Sequence, residues 1–223
     1  MTHFYLENLY IKQLEIGPME NFVYLIGDKV EKKAMIVDPA WQVDTIFKEA
    51  KKDEMEIIGA IVSHHHYDHT NGIEEFLERT DAKVFVNKHD AEFVAVPQTN
   101  MIKTDHQSHI NIGQVSIHFL HTPGHTPGSQ CLHINKQHLI SGDTLFIHGC
   151  GRCDLPGGDP EAMYYTLTQK IMRLDKDTCL WPGHNYAEKV QSTIGEEMRE
   201  NPYIKTASTS LKSFLNLRMK KRR

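Results

Sequence analysis

Five of the six positions from 64 to 69 carry side chains that bind metals: His64, His65, His66, Asp68 and His69. They close the stretch IIGAIVSHHHYDHTNG, in which the apolar run from Ile57 to Val62 reads as a buried strand of a parallel sheet. Open α/β sheets place their ligands at the C-terminal ends of strands, where loops can carry polar groups that the core cannot hold. Side chains alternate along extended backbone, so His64 and His66 point together and His65 points away. After Tyr67 the chain is expected to turn into a helix through Thr70 and Asn71, which swings Asp68 and His69 to another side of the same pocket. Two imidazoles then face one cation, and a carboxylate with an imidazole faces a second. That mixture suits zinc, iron, manganese or nickel and does not suit calcium or magnesium, which want oxygen alone.

A lone HxH pattern is weak, and a chance surface tract of histidines is its plain alternative. HxHxDH at the end of a buried-type strand is far narrower. Two cations need about seven or eight protein ligands, and this stretch offers four. The remainder must come from other strand ends, and three places answer. HTPGHTPGS puts His125 after a strand ending at Leu120, SGDTLF puts Asp143 after Leu139-Ile140, and WPGHNY puts His184 after Thr178 to Trp181. Each lies just beyond a short apolar strand, beside a glycine that lets backbone approach closely. A histidine after a Pro-Gly turn is ordinarily a solvated loop residue. Three such ligand types, in a chain already short of ligands, reverse that reading.

The elements that must position these groups can be read in order. Leu9 to Ile16, Asn21 to Ile26 and Ala34 to Val37 are predicted strands, joined by turns at Gly17-Pro18 and Gly27-Asp28. Gln42 to Lys52 has helical spacing at Val43, Ile46, Phe47 and Ala50. The strand Ile57 to Val62 and its histidine loop lead into a helix with Ile73, Phe76 and Leu77 on its apolar face. Lys83 to Val86 reads as a strand and His89 to Val94 as a short helix, while the polar stretch Pro97 to Ser108 is expected to form a loop over the site. His109 to Leu120 is a hairpin around Asn111-Ile112-Gly113, and Gln130 to Ile134 pairs with His138 to Ile140 through a turn at Asn135-Lys136. Pro160 to Leu174 is a helix opening after Asp159 as its N-cap. A last strand at Thr178 to Trp181 precedes a helix from Ala187 to about Arg199, and the amphipathic tail from Lys212 ends in MKKRR. Strands with helices outside them, in two halves, predict an α/β (α+β) fold: a four-layer αβ/βα sandwich with the site along one edge.

The chain of 223 residues, 39% of them hydrophobic, is long enough for one sizeable domain, expected to span 1–223. No apolar run approaches a membrane span, and the N-terminus has no basic region followed by an apolar one. A formal charge of -4 argues against nucleic acid as the main partner. The four cysteines, Cys131, Cys150, Cys153 and Cys179, are too few and too scattered for a disulfide framework, which points to a reducing cytoplasm. No membrane partner is expected, and the chain is expected to be a monomer or a homodimer.

SHHHYDH, TPGHTPGS, SGDTLFIHGCGR and PGHNY together resemble the four ligand motifs, in order, of metallo-β-lactamase-fold hydrolases of the glyoxalase II-like branch. The resemblance covers nearly the whole chain. It implies His64, His66 and His125 on one metal, Asp68, His69 and His184 on a second, and Asp143 bridging. It also implies two divalent transition-metal ions, zinc first, with iron or manganese as alternatives. Two cations sharing one water bring its pKa toward neutrality and present hydroxide, with Asp68 placed to orient that water as well as to bind. The expected substrate is a small-molecule thioester, because a thiolate leaves without a strong general acid. Arg152, close after Asp143, is the candidate to hold a carboxylate or the peptide part of a thiol.

Two other readings come from the same residues. GCGRCD and EEMRENPYI also resemble persulfide dioxygenases of this fold, in which one iron is held by residues matching His64, His125 and Asp143. A thioesterase acting on carrier-protein-bound acyl groups would share the chemistry and differ in partner. Cys150 and Cys153 form a CxxC with no second pair to complete a zinc ribbon. The helical extension expected over about 186–223 is shorter than the domain with which glyoxalase II grips glutathione.

Overall fold

The structure is a computed structural model that describes residues 7–220. Two six-stranded sheets lie face to face. The first contains β1 (Leu9–Ile16), β2 (Asn21–Asp28), β3 (Lys33–Val37), β4 (Glu56–Ile61), β5 (Lys83–Asn87) and β6 (Met101–Thr104), in that spatial order. Its first two pairings are antiparallel and the rest are parallel. The second contains β7 (His109–Ile112), β8 (Val115–His121), β9 (Gln130–Ile134), β10 (His138–Gly142), β13 (Cys179–Pro182) and β14 (Ser192–Thr193), in the order β14-β13-β10-β9-β8-β7. Between β10 and β13 a small ribbon forms from β11 (Leu145–Phe146) and β12 (Gly149–Cys150).

Side-chain alternation builds the layers. In β2 the residues Phe22, Tyr24 and Ile26 face the second sheet, whereas Val23 and Leu25 face the other way, so the whole strand is buried. Met35 and Val37 of β3, Ile117 and Phe119 of β8 and Leu132 of β9 complete the core between the sheets. Each large apolar side chain fully buried there contributes roughly 1.5–3 kcal/mol. Outside the first sheet pack α1 (Val43–Lys52), through Val43, Ile46 and Ala50, and α3 (Ile73–Arg79), through Ile73 and Phe76. A single turn of helix, α2 (Tyr67–Thr70), precedes α3. Outside the second sheet lie α4 (Pro160–Gln169), α5 (Ile194–Glu200), α6 (Pro202–Thr209) and α7 (Leu211–Arg218), which bury Met163, Leu167, Ile204 and Phe214 against Leu139 and Leu180. The architecture is the four-layer αβ/βα sandwich.

Four expected elements differ. The helix expected from Pro160 to Leu174 ends at Gln169, and a separate 3-10 turn follows at Ile171–Arg173. Residues 89–94 form consecutive turns, not a helix. Asp90 there accepts from the backbone N–H groups of His65 and Gly128, which pulls the segment toward neighbouring loops. Within Pro97 to Ser108 the chain forms β6, which adds a parallel edge strand to β5 in place of an irregular loop. Ile102 and Lys103 are exposed on that edge, so the stretch lacks the alternation that marks a half-buried strand. The helix expected from Ala187 begins only at Ile194, because Ser192 and Thr193 pair with β13 first. Thr193 then caps the helix by accepting from the Glu196 N–H, the signature T-x-x-E that the sequence carries. Of the basic tail, residues 221–223 lie outside the described residues.

Candidate metal centre

All seven residues expected to bind metal converge at one edge of the sandwich. His64 and His66 follow β4, and Asp68 and His69 lie on α2. His125 sits in the loop after β8, Asp143 directly after β10, and His184 directly after β13. Their donor atoms fall into three overlapping groups, His64/His66/His125, His64/His69/Asp143 and Asp68/His69/His184, each with its atoms within 4.8 Å of one another.

Glycines make the close approach possible. Gly142 has φ +48°, and a Cβ there would lie 2.6 Å from Ser63 Oγ. A Cβ on Gly183 would lie 2.4 Å from Asp143 Oδ1, so the chain before His184 must be bare to pass the carboxylate. The Gly183 N–H donates to Gly142 O at 2.9 Å, and Phe22 N–H donates to Gly183 O at 2.8 Å, tying β13 to both sheets.

The ring protons of four histidines have acceptors that fix them. His69 Nδ1 donates to Asp38 Oδ2 at 2.9 Å, His184 Nδ1 to Met19 O at 2.9 Å, and His125 Nδ1 to Arg152 O at 2.7 Å. Ser63 Oγ donates to Asp38 at 2.7 Å, which leaves its oxygen to accept from His64 Nδ1 at 3.0 Å. Each Nε2 therefore points into the pocket, and its lone pair is free to bind wherever the ring carries no second proton. His69 Nε2 and His184 Nε2 face one another at 3.1 Å, and His64 Nε2 lies 3.1 Å from His66 Nδ1. Facing lone pairs at that distance repel unless a proton or a cation lies between them. His125 Nε2 and Asp143 Oδ1 are buried and make no hydrogen bond among the described residues. Two nitrogens held by one tetrahedral ion at about 2.0–2.1 Å would stand about 3.4 Å apart, close to the spacings found here. The donor set fits borderline divalent ions.

Asp143 faces both halves of the pocket with different oxygens. Oδ1 is 3.4 Å from His69 Nε2 and 3.4 Å from His184 Nε2, while Oδ2 is 3.5 Å from His125 Nε2. Asp68 Oδ2 is 3.4 Å from the Nε2 atoms of His69 and His184, and it accepts from Asn21 Nδ2 at 3.0 Å. Asn21 is held in turn by the Trp41 indole N–H at 3.0 Å.

Charge divides the site unevenly. Burial disfavours protonation of His64, whose pKa lies well below the ordinary value, and it pushes His66 down to about 4 and lowers His125. For His184 burial acts the same way, but Asp143 and Asp68 outweigh it and raise the ring to about 9. His69 is likewise raised well above its ordinary value, burial being overcome by Asp143 and Asp38. Burial opposes ionisation of Asp143 and of Asp68, yet the neighbouring rings hold both carboxyls below the usual range.

Arg152 lies at the exposed rim, its guanidinium engaged by both Asp154 oxygens at 3.0 Å; inside the pocket it supplies only its backbone carbonyl, to His125. Several contributors were not among the expected site residues. Asp38, Asn21 and Ser63 orient ligands, and Asp90 joins the histidine loop to the His125 loop by accepting from His65 N–H and Thr126 Oγ1. Tyr186 stacks on the His184 ring with centroids 4.7 Å apart and stays half-exposed. Asp38 and Asn21 stand at strand ends, the signal that also marks Asp143; Tyr186 follows His184 by two residues.

A pocket of histidines and aspartates at one edge of an αβ/βα sandwich defines a class of metal-binding protein. Residues 16–184 match the family model described as the metallo-beta-lactamase superfamily, and the chain belongs to that superfamily. It is 34% identical over 188 residues, 80% of this chain and 70% of the relative, to a protein of Schizosaccharomyces pombe described as "Probable hydroxyacylglutathione hydrolase glo2". It is 29% identical over 184 residues, 82% of this chain and 81% of the relative, to one of Bacillus subtilis described as "Probable polyketide biosynthesis zinc-dependent hydrolase PksB". Among solved structures, ETHE1 from Myxococcus xanthus superposes with a TM-score of 0.85 at 28% identity, covering 95% of this chain and 90% of that one. Among the described residues no helix is long and apolar enough to cross a membrane, and all four cysteines are free.

Proposed function

We propose that this protein is a metal-dependent hydrolase of thioesters whose centre holds two divalent transition-metal ions, zinc first. His64, His66 and His125 would hold one ion, Asp68, His69 and His184 the other, and Asp143 would bridge. The observation that carries this reading is Asp143, one carboxylate with an oxygen 3.5 Å from His125 Nε2 and another 3.4 Å from His69 and His184 Nε2. Such ions, when bound, supply a lowered water pKa and Lewis-acid polarisation of a carbonyl. The chain's own groups do the positioning. Asn21 holds Asp68 so that its carboxylate aims into the pocket, where it can orient a water. The Asp38 carboxylate keeps the His69 proton on Nδ1, which leaves Nε2 free to bind.

The rim favours a thioester over a phosphate or an amide. Tyr186 lies exposed on the His184 ring and Phe93 exposed on the His65 ring, and the Arg152 guanidinium is already shared with Asp154. Arg152 can still receive an anionic substrate group by exchanging carboxylates. A thiolate leaves without a strong general acid, and no lysine or arginine reaches the pocket among the contacts described. The names of the Schizosaccharomyces and Bacillus relatives support hydrolysis, and of the two only the first names a thiol, glutathione.

The test pairs two assays, hydrolysis by zinc-loaded protein and oxygen uptake by the same protein loaded with Fe(II). Hydrolysis of S-lactoylglutathione or of a simple acyl thioester is expected. Oxygen uptake with glutathione persulfide, in the absence of any hydrolysis, would overturn the reaction class in favour of a mononuclear iron dioxygenase.

A further inference from the structure

Outside the main centre, a second set of metal-binding side chains converges from three separate elements. His89 follows β5, Asp105 follows β6, and His121 ends β8. One donor atom from each lies within 4.8 Å of the others. The imidazoles of His89 and His121 stack with centroids 4.9 Å apart and planes 20° from parallel.

From this arrangement we infer a further metal site, open to solvent, in which His89, Asp105 and His121 bind a borderline divalent transition-metal ion such as Zn(II). Two imidazoles and one carboxylate are a sufficient face for such an ion, with water completing the shell. His121 is prepared for the role. Its Nε2 donates to Pro127 O at 2.8 Å, so the ring proton is fixed there and Nδ1 carries the lone pair. His89 is exposed, and its backbone N–H donates to Asn87 Oδ1 at 3.1 Å, which anchors the turn while the side chain stays free to close on an ion.

The competing charge is local and displaceable. Lys88 Nζ pairs with Asp105 Oδ2, and these side chains are 47% and 48% exposed, so water can take over the ammonium when a cation claims the carboxylate. Lys170 Nζ donates to the His121 carbonyl and so points at backbone, not at the ring. An ion here would join the ends of β5, β6 and β8 to the loop that carries His125, since His121 already grips Pro127 of that loop. The site shares no ligand with the main centre.

Equilibrium dialysis against micromolar Zn(II), with metal counted by elemental analysis, tests this in wild type, His89→Gln and His121→Gln. Each variant should hold one ion per chain fewer than wild type, whatever number the main centre takes. His89 is exposed, so its variant keeps the test valid even if His121→Gln folds poorly. Lys88→Gln removes the competing ammonium and should tighten that same ion several-fold while the others stay unmoved. Equal counts in wild type and His89→Gln, or an affinity unchanged by Lys88→Gln, would overturn the assignment.

Discussion

The two halves of the main centre use the same side chains in opposite electrostatic settings. Around His64, His66 and His125 the supporting acceptors are neutral, the Ser63 hydroxyl and the Arg152 carbonyl, and burial keeps the rings uncharged. Around His69 and His184 stand three carboxylates, Asp38, Asp68 and Asp143, and the rings hold protons. The first half is ready for a cation without giving anything up. The second half already stores positive charge as protons, which an entering ion must displace. With two ions bound as proposed, the two halves would answer differently to pH.

The largest expected effect follows from that contrast. His184 keeps its proton up to about pH 9, so affinity in the Asp68/His69/His184 half falls as pH drops below that value. His66, pushed down to about 4, is neutral through the same range, so its half keeps its affinity until pH approaches 4. Dialysis from about pH 8.5 to about pH 5.5, with metal counted at each step, should remove one ion of the two and retain the other. Simultaneous loss of both would erase the distinction between the halves.

The orienting groups sharpen it further. Asp38→Asn replaces the acceptor of the His69 proton with an amide, allowing that proton to move to Nε2 and block the ligand atom. Affinity in the second half should fall by about 10–100-fold, read by chelator competition, with a smaller fall in the first half, which Asp38 reaches only through Ser63. Ser63→Ala is the smaller counterpart. It removes the neutral acceptor behind His64 and should weaken the first half by about tenfold at most. If Asp38→Asn weakened both halves equally, Asp38 would be a general prop of the fold and not the anchor of one half.

Much of this site was legible in the sequence because ligand types stood at strand ends. Asp143 and His184 follow short apolar strands, Asp68 and His69 follow the histidine loop after another, and the structure brings them together with His64, His66 and His125. The layers were legible too: β8 alternates as a half-buried strand must, and β2 is a short continuous apolar run, buried on both faces. What remained hidden was of two kinds. The carbonyls of Met19, Arg152 and Pro127 hold ring protons, yet every residue has a carbonyl, so composition cannot single them out. Residues 89–94 turn where local spacing suggested a helix, because Asp90 bonds to His65 and Gly128 far along the chain. Long-range partners of that sort override local preference.

The account rests on Asp143 as the one carboxylate shared by both halves, and Asp143→Asn tests it most directly. The amide keeps the shape and one coordinating oxygen but removes the charge that offsets repulsion between two close cations. Elemental analysis of the purified variant after dialysis at neutral pH is the measurement. The account predicts that both ions are lost together, nearly as completely as in Asp143→Ala. Retention of both ions with most of the hydrolytic rate, or loss from one half alone, would contradict it.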